Sequence, residues 1–178
     1  MRMSTIRNTS VAILIGALLA GCSSTPAIVT QDKTPTIVTQ DNFPQAYTSL
    51  RFGKILSKSG GVNKFVEMPV PSSVPEEQFV VRMNRDTFYS VGVFDTTGDV
   101  YITIPESDRY VSTQIVDENH ETQRLIYGSG RHKISAKTDH AFVVVRALED
   151  GARRNLKVEA ASSKPYVVKK YDMDSFYA

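Results

Sequence analysis

Apolar residues change their spacing twice along this chain. Between Asn42 and Gly60 they recur at helical intervals, with Phe43, Ala46, Tyr47 and Leu50 on one face. Asn42 with Gln45 three residues on predicts a capping box at the start, and Gly60-Gly61 predicts the stop. Three prolines between Met68 and Pro75 then enforce an extended connection.

Beyond Gln78 the period becomes two. Val100, Ile102 and Ile104 alternate with Tyr101 and Thr103; Val111 and Ile115 flank Thr113; Leu156 and Val158 alternate with Lys157 and Glu159. Two other runs, Phe88 to Phe94 and Ala141 to Leu148, are apolar on both parities, the pattern of strands covered on both sides. Turn chemistry punctuates them at Thr97-Gly98-Asp99, Glu106-Ser107-Asp108, Gly128-Ser129-Gly130 and Asp150-Gly151. About six to eight short strands after one helix predict a mainly β fold, an antiparallel β-sandwich of jelly-roll type with one N-terminal helix.

The first apolar run has a different meaning. Arg2 and Arg7 precede Val11 to Ala20, a run of signal-peptide length and too short to span a bilayer. Leu19-Ala20-Gly21-Cys22 follows in the form of a bacterial lipobox, and Cys22 is the only cysteine of the 178 residues. The expected organisation is a signal peptide over 1–21, a lipid-anchored tether over 22–41 and a β-sandwich domain over 42–178. Ser23 after the modified cysteine favours the periplasmic face of the outer membrane over retention at the inner one. The tether holds a nine-residue tandem repeat, "TPAIVTQDK" then "TPTIVTQDN". Two copies are too few for a solenoid.

Cleavage before Cys22 changes the charge picture. It removes two arginines and no acid, which leaves 19 basic against 19 acidic residues. A neutral mature chain offers no footprint for nucleic acid. Without a second cysteine the fold rests on its core, for which a hydrophobic fraction of 41% suffices.

The densest polar cluster, "RMNRDT", lies directly before the first doubly apolar strand. Asn84 and Asp86 can close an Asx turn, while Arg82 and Arg85 supply forked donors for a carboxylate or for strand-end carbonyls. An acid between arginines at the lip of a sandwich can also form an anion or acid-base site. The preferred reading is a clamp, with Asp86 paired to Arg109 or Arg146. Arg109-Tyr110 stands at the start of a strand, where the guanidinium reaches Asp86 or Asp117. Arg146, inside an apolar strand, reads as buried and in need of an acid.

"IVDENHETQ" gathers oxygen and nitrogen donors in Asp117, Glu118, Asn119 and His120. Read as a strand end, Asp117 and Asn119 share one side and Glu118 and His120 the other, half a metal site at most. A polar loop is the preferred reading, and His132 and His140 read as solvated side chains near turns. Tyr89, Tyr101, Tyr110 and Tyr127 can line a cleft, although tyrosines on strands more often rim a core. No Gly-rich phosphate loop and no GxSxG elbow is present, and no cofactor or metal is implied.

"DNFPQAYTSLRFGKIL", "VVRMNRDTFYSVGVFD", "IPESDRYVSTQIVDENH", "YGSG" and "FVVVRALED" together resemble the family catalogued as domain of unknown function 1254, in order and in spacing. The resemblance covers Asp41 to Asp150. It implies a mostly β N-terminal module, often followed in one polypeptide by a second β module, domain of unknown function 1214. Here the chain stops at "YDMDSFYA", which reads as a minimal version or a truncated product. The family carries no agreed activity. The reading from the residues is therefore an envelope lipoprotein whose sandwich binds a small ligand or a protein partner, such as a companion bearing the second module. The alternative is a hydrolase for a small envelope or xenobiotic substrate, centred on Asp86, His120 and the flanking arginines. Convergence of Arg82, Asp86, Arg109, His120 and Arg146 in one open pocket distinguishes the two.

Overall fold

The computed structural model describes residues 34–68 and 86–178. The lipobox, the first repeat copy, the proline-rich connection and Arg82, Asn84 and Arg85 lie outside those residues.

The predicted helix is α1, Phe43–Ser59. Pro44 sits in its first turn, where a missing amide costs nothing, and Gly60 ends it in the left-handed region at φ 70°. The capping box does not form. Asn42 turns backward instead, accepting the Thr39 amide at 2.9 Å and donating to the Ile37 carbonyl at 3.0 Å.

Eight strands follow among the described residues: β1 (Lys64–Glu67), β2 (Phe88–Asp95), β3 (Val100–Ile104), β4 (Val111–Asp117), β5 (Thr122–Tyr127), β6 (Gly130–Ile134), β7 (His140–Ala147) and β8 (Lys157–Ala160). They form a five-stranded sheet, β1-β2-β7-β4-β5, and a three-stranded sheet, β6-β3-β8, all antiparallel. The chain crosses between sheets repeatedly and the fold is a β-sandwich with an N-terminal helix. Two short helices were not anticipated: α2 (Asp150–Arg154), where Asp150-Gly151 opens a helical turn rather than a hairpin, and α3 (Met173–Tyr177).

The doubly apolar runs have the covering they predicted. Phe94, Val143 and Val145 face Val100, Ile102, Ile104 and Ile134 in the core between the sheets. Val91, Val93, Phe142 and Val144 face the other way, against Phe52, Ile55 and Leu56 of α1. At Gly92 a Cβ would lie 2.6 Å from the Lys64 carbonyl oxygen, so glycine lets β1 close on β2. Thr36 of the second repeat copy forms a parallel bridge with Tyr171, which joins the segment before α1 to the one before α3.

Candidate functional site

Polar side chains concentrate at the two ends of the five-stranded sheet, separated by the length of β2, about 25 Å. At one end Asp95 lies opposite His140 on the face that α1 covers, while Asp117, opposite Ala141, belongs to the face between the sheets. Asp95 is fully buried. It accepts the Thr97 amide at 2.9 Å, the Thr97 hydroxyl at 2.6 Å and the Lys164 amide at 2.5 Å. Burial pushes its carboxyl up, but hydrogen bonds from Thr97, Lys164 and Ser162 outweigh that and hold the pKa at about 2.

His140 is buried, not solvated as its position near a turn suggested. Its Nε2 faces the Lys164 carbonyl at 2.8 Å and its Nδ1 the Glu118 carboxylate at 3.4 Å. Both partners are acceptors, so the arrangement suits the doubly protonated ring. Burial opposes that charge, yet the Glu118 carboxylate, the Lys164 carbonyl and Asp95 raise the pKa above its ordinary 6.5. Asp139 also faces the ring electrostatically, and Tyr166 meets it edge-on at 5.2 Å. A histidine with a raised folded pKa contributes stability that is complete below pH 6.5 and lost as pH rises through the folded value. Urea melts from pH 5 to 9 are expected to show stability falling on the alkaline side, with the slope flattened by His140→Gln. An equal slope in that variant would remove His140 as its source.

The "DENH" residues diverge from this point. Strand β4 ends at Asp117 and 118–120 form a turn, so the strand alternation expected for them does not apply. Asp117 is buried and accepts the amides of Asn119 and Glu121 at 2.9 Å each, with Gln123 Nε2 on its other oxygen. Glu118 turns to His140. His120, exposed and left-handed at φ 65°, reaches α1 instead, with Nδ1 3.0 Å from the Thr48 hydroxyl and the ring edge-on to Tyr47. Among the described residues no group of three His, Cys, Asp or Glu side chains is arranged to hold a metal ion.

The opposite end of the sheet gathers the remaining candidates. One residue from each of four strands stands in a row: Tyr89 on β2, Arg146 on β7, Ser112 on β4 and Tyr127 on β5. Their shared register puts them on the face that α1 covers farther along, beyond its packing on β1, β2 and β7. Arg146 is exposed there, not buried, because apolar coverage ends with Val144; its guanidinium lies 5.5 Å over the Tyr89 ring. Tyr127 is 64% exposed and its row neighbour along β5, Leu125, 49%. Tyr110, 44% exposed, donates its hydroxyl to Ser112 at 2.8 Å and lies 6.3 Å from the Tyr127 ring.

Arg109 is also at this end, but its ion pair is with Glu149 at 3.5 Å, while Asp117 sits at the far end of β4. Asp86 is exposed, so a clamp built on it is a surface pair, worth at most about 1 kcal/mol. Asp86 precedes β2 at one end of the sheet and His120 follows β4 at the other, so the two do not converge. The fourth tyrosine, Tyr101, belongs to the other sheet, beneath the Arg131 guanidinium at 3.6 Å, and Arg131 is bidentate to Glu159.

Among the described residues the buried arginine is one that was not a candidate. Arg153 on α2 donates Nη1 to the Met68 and Tyr89 carbonyls at 2.8 and 2.9 Å and Nε to Asp150 at 2.7 Å. In the sequence it is one of two adjacent arginines in a polar stretch, with nothing local to mark it.

A family model described as protein of unknown function DUF1254 matches residues 62–168, more than half of the chain. The chain belongs to the DUF1254 family. The match runs from just before β1 to beyond β8, so the whole sandwich is the DUF1254 unit. No curated protein matches the chain. Among solved structures, a Vibrio parahaemolyticus protein is similar with a TM-score of 0.49 and 14% identity, over 75% of this chain and 42% of that one. A Burkholderia cenocepacia protein is similar with a TM-score of 0.45 and 14% identity, over 76% and 44%. The chain thus spans less than half the length of both. Among the described residues of this DUF1254 member, no helix is long and apolar enough to cross a membrane.

Proposed function

We propose that this DUF1254 chain is an envelope lipoprotein, anchored through lipid on Cys22 at the periplasmic face of the outer membrane, and that its sandwich binds a protein partner. The observation that carries the binding reading is the exposed group of Arg146, Tyr127, Tyr110 and Leu125, with half-buried Tyr89 at the end of the same row. Aromatic rings and an arginine are the residues in which binding energy concentrates at protein interfaces. The row runs to β5, an outer strand of the sheet, whose backbone can take a further strand. By contrast, the outer face of the three-stranded sheet pairs its charges within itself, as with Arg131–Glu159 and Lys133–Asp99. The partner this surface suits is a companion polypeptide carrying a second β module.

A photo-crosslinking residue at position 125, in the row next to Tyr127, tests the surface in living cells. One defined adduct is expected, and affinity for the purified adduct protein should fall about 30-fold in Tyr127→Ala and in Arg146→Ala, the scale of a 2 kcal/mol hot spot. Both variants should melt with the wild type because their side chains are exposed. Unchanged affinity in both would reject the surface. Separately, incorporation of a labelled fatty acid that is lost in Cys22→Ser supports the anchor, and no incorporation in the wild type rejects it.

A further inference from the structure

The second repeat copy is held to the domain by contacts that barely read its side chains. Thr36 donates its amide to the Lys170 carbonyl at 3.0 Å and accepts the Asp172 amide at 2.8 Å. The Val38 amide donates to the Ser175 hydroxyl at 2.9 Å, and the Val38 side chain is buried. Asp172 accepts the Ser175 amide at 2.7 Å and so fixes the far side of this seat.

The first copy offers the same groups. Ala27 stands where Thr36 stands and contributes the identical backbone; Val29 stands where Val38 stands. The copies differ only at their third and ninth residues, and the ninth decides preference. Asn42 bridges Thr39 and Ile37 through its side chain, whereas Lys33 has no acceptor with which to do so.

We propose that the segment Lys170 to Ser175 is a docking site for the repeat sequence as such, and that Thr25 to Lys33 of the same chain is its second occupant. Exchange slips the N-terminal segment by one repeat. Residues 34–42 then become slack between the docked copy and α1, which keeps its place on the sheet. A short connection on the same chain gives the first copy a high effective concentration, which favours it over a copy from a neighbour. The functional consequence rests on the anchored reading: the maximal reach from Cys22 to the docked repeat falls from about 50 Å to about 17 Å. The repeat is in that case a two-position spacer that sets the height of the sandwich above the lipid.

The exchange is tested without the anchor, in the chain carrying Cys22→Ser. Ile37 is exposed, and Ile28 is its equivalent in the first copy. Ile37→Cys with Met173→Cys is expected to crosslink within one chain when treated with a short bifunctional thiol reagent. Ile28→Cys with Met173→Cys is expected to do so at lower yield. Adding Lys33→Asn and Asn42→Lys, which moves the bridging side chain to the first copy, should raise the second yield at least about fivefold and lower the first. No Ile28→Cys product in that background, or products only between chains, overturns the exchange. Fatty-acid labelling of wild-type Cys22 is a separate readout, so failure of the anchor and failure of the exchange are told apart.

Discussion

Arg153→Met is expected to lower the stability of the domain by about 3 kcal/mol and its melting temperature by roughly 10 °C. The side chain is 2% exposed and closes one corner of the sandwich. Its Nη1 satisfies two carbonyls, at Met68 just past β1 and at Tyr89 on β2, and its guanidinium stacks 5.2 Å from the Phe88 ring. Methionine keeps most of the stem volume but leaves the Met68 carbonyl without that donor, which costs about 1 to 3 kcal/mol for a buried acceptor, while the Tyr89 carbonyl loses one of two donors and keeps the Met68 amide at 3.0 Å. Arg153 also carries the backbone contact of α2 to β2, since its own carbonyl accepts the Ser90 hydroxyl at 3.0 Å, and that bond survives the substitution. The neighbouring Arg154 pairs with Asp150 and Glu67 at the exposed surface. Arg154→Met is therefore expected to cost under about 1 kcal/mol. A pair of thermal melts decides the matter: equal midpoints for the two variants would show that Arg153 does not bolt this corner.

Asp95→Ala is expected to cost about as much at neutral pH, roughly 3 kcal/mol, because three donors converge on one carboxylate and lose it together. The loss should depend on pH in a way that the arginine variant's does not. In the wild type the Asp95 pKa falls from 3.8 to about 2 on folding. A depressed folded pKa contributes stability that is present above pH 3.8 and is lost as pH falls through about 2. With allowance for solvent screening near the sheet end, that contribution is about 1 to 2 kcal/mol. Wild type and Asp95→Ala should therefore converge in stability towards pH 2 and separate by pH 5. A constant gap across that range would assign the effect to packing alone. Together with His140, whose contribution fades on the alkaline side, Asp95 gives this end of the sheet a stability plateau between about pH 4 and 6.5.

The fold was legible because its signals are local. Alternation marks β3 at Val100, Ile102 and Ile104, and apolar residues on both parities mark β2 and β7 as a layer packed between helix and second sheet. The polar positions were less legible, for a shared reason. Arg146 sits among valines, and only the place where α1 stops covering the sheet decides that it is exposed. Arg153 and His140 look solvent-facing in sequence, yet their partners lie at Met68, Tyr89, Glu118 and Lys164, on other elements. Burial of a charged side chain is a property of what folds over it, and a linear pattern does not contain that. The row of Tyr89, Arg146, Ser112 and Tyr127 could be found only once strand register was known, although Tyr89, Arg146 and Tyr127 of its members and the neighbouring Tyr110 were already suspected from their types.

The parallel bridge between Thr36 and Tyr171 has a mechanical consequence. A pull on the N-terminal segment reaches the bridge before it reaches α1 or any strand. Two backbone hydrogen bonds and the Val38–Ser175 contact therefore bear the load first, and they can part and re-form while the sandwich behind them keeps its shape. The bridge acts as a fuse in series with the domain, so tension is spent on a joint that heals by itself.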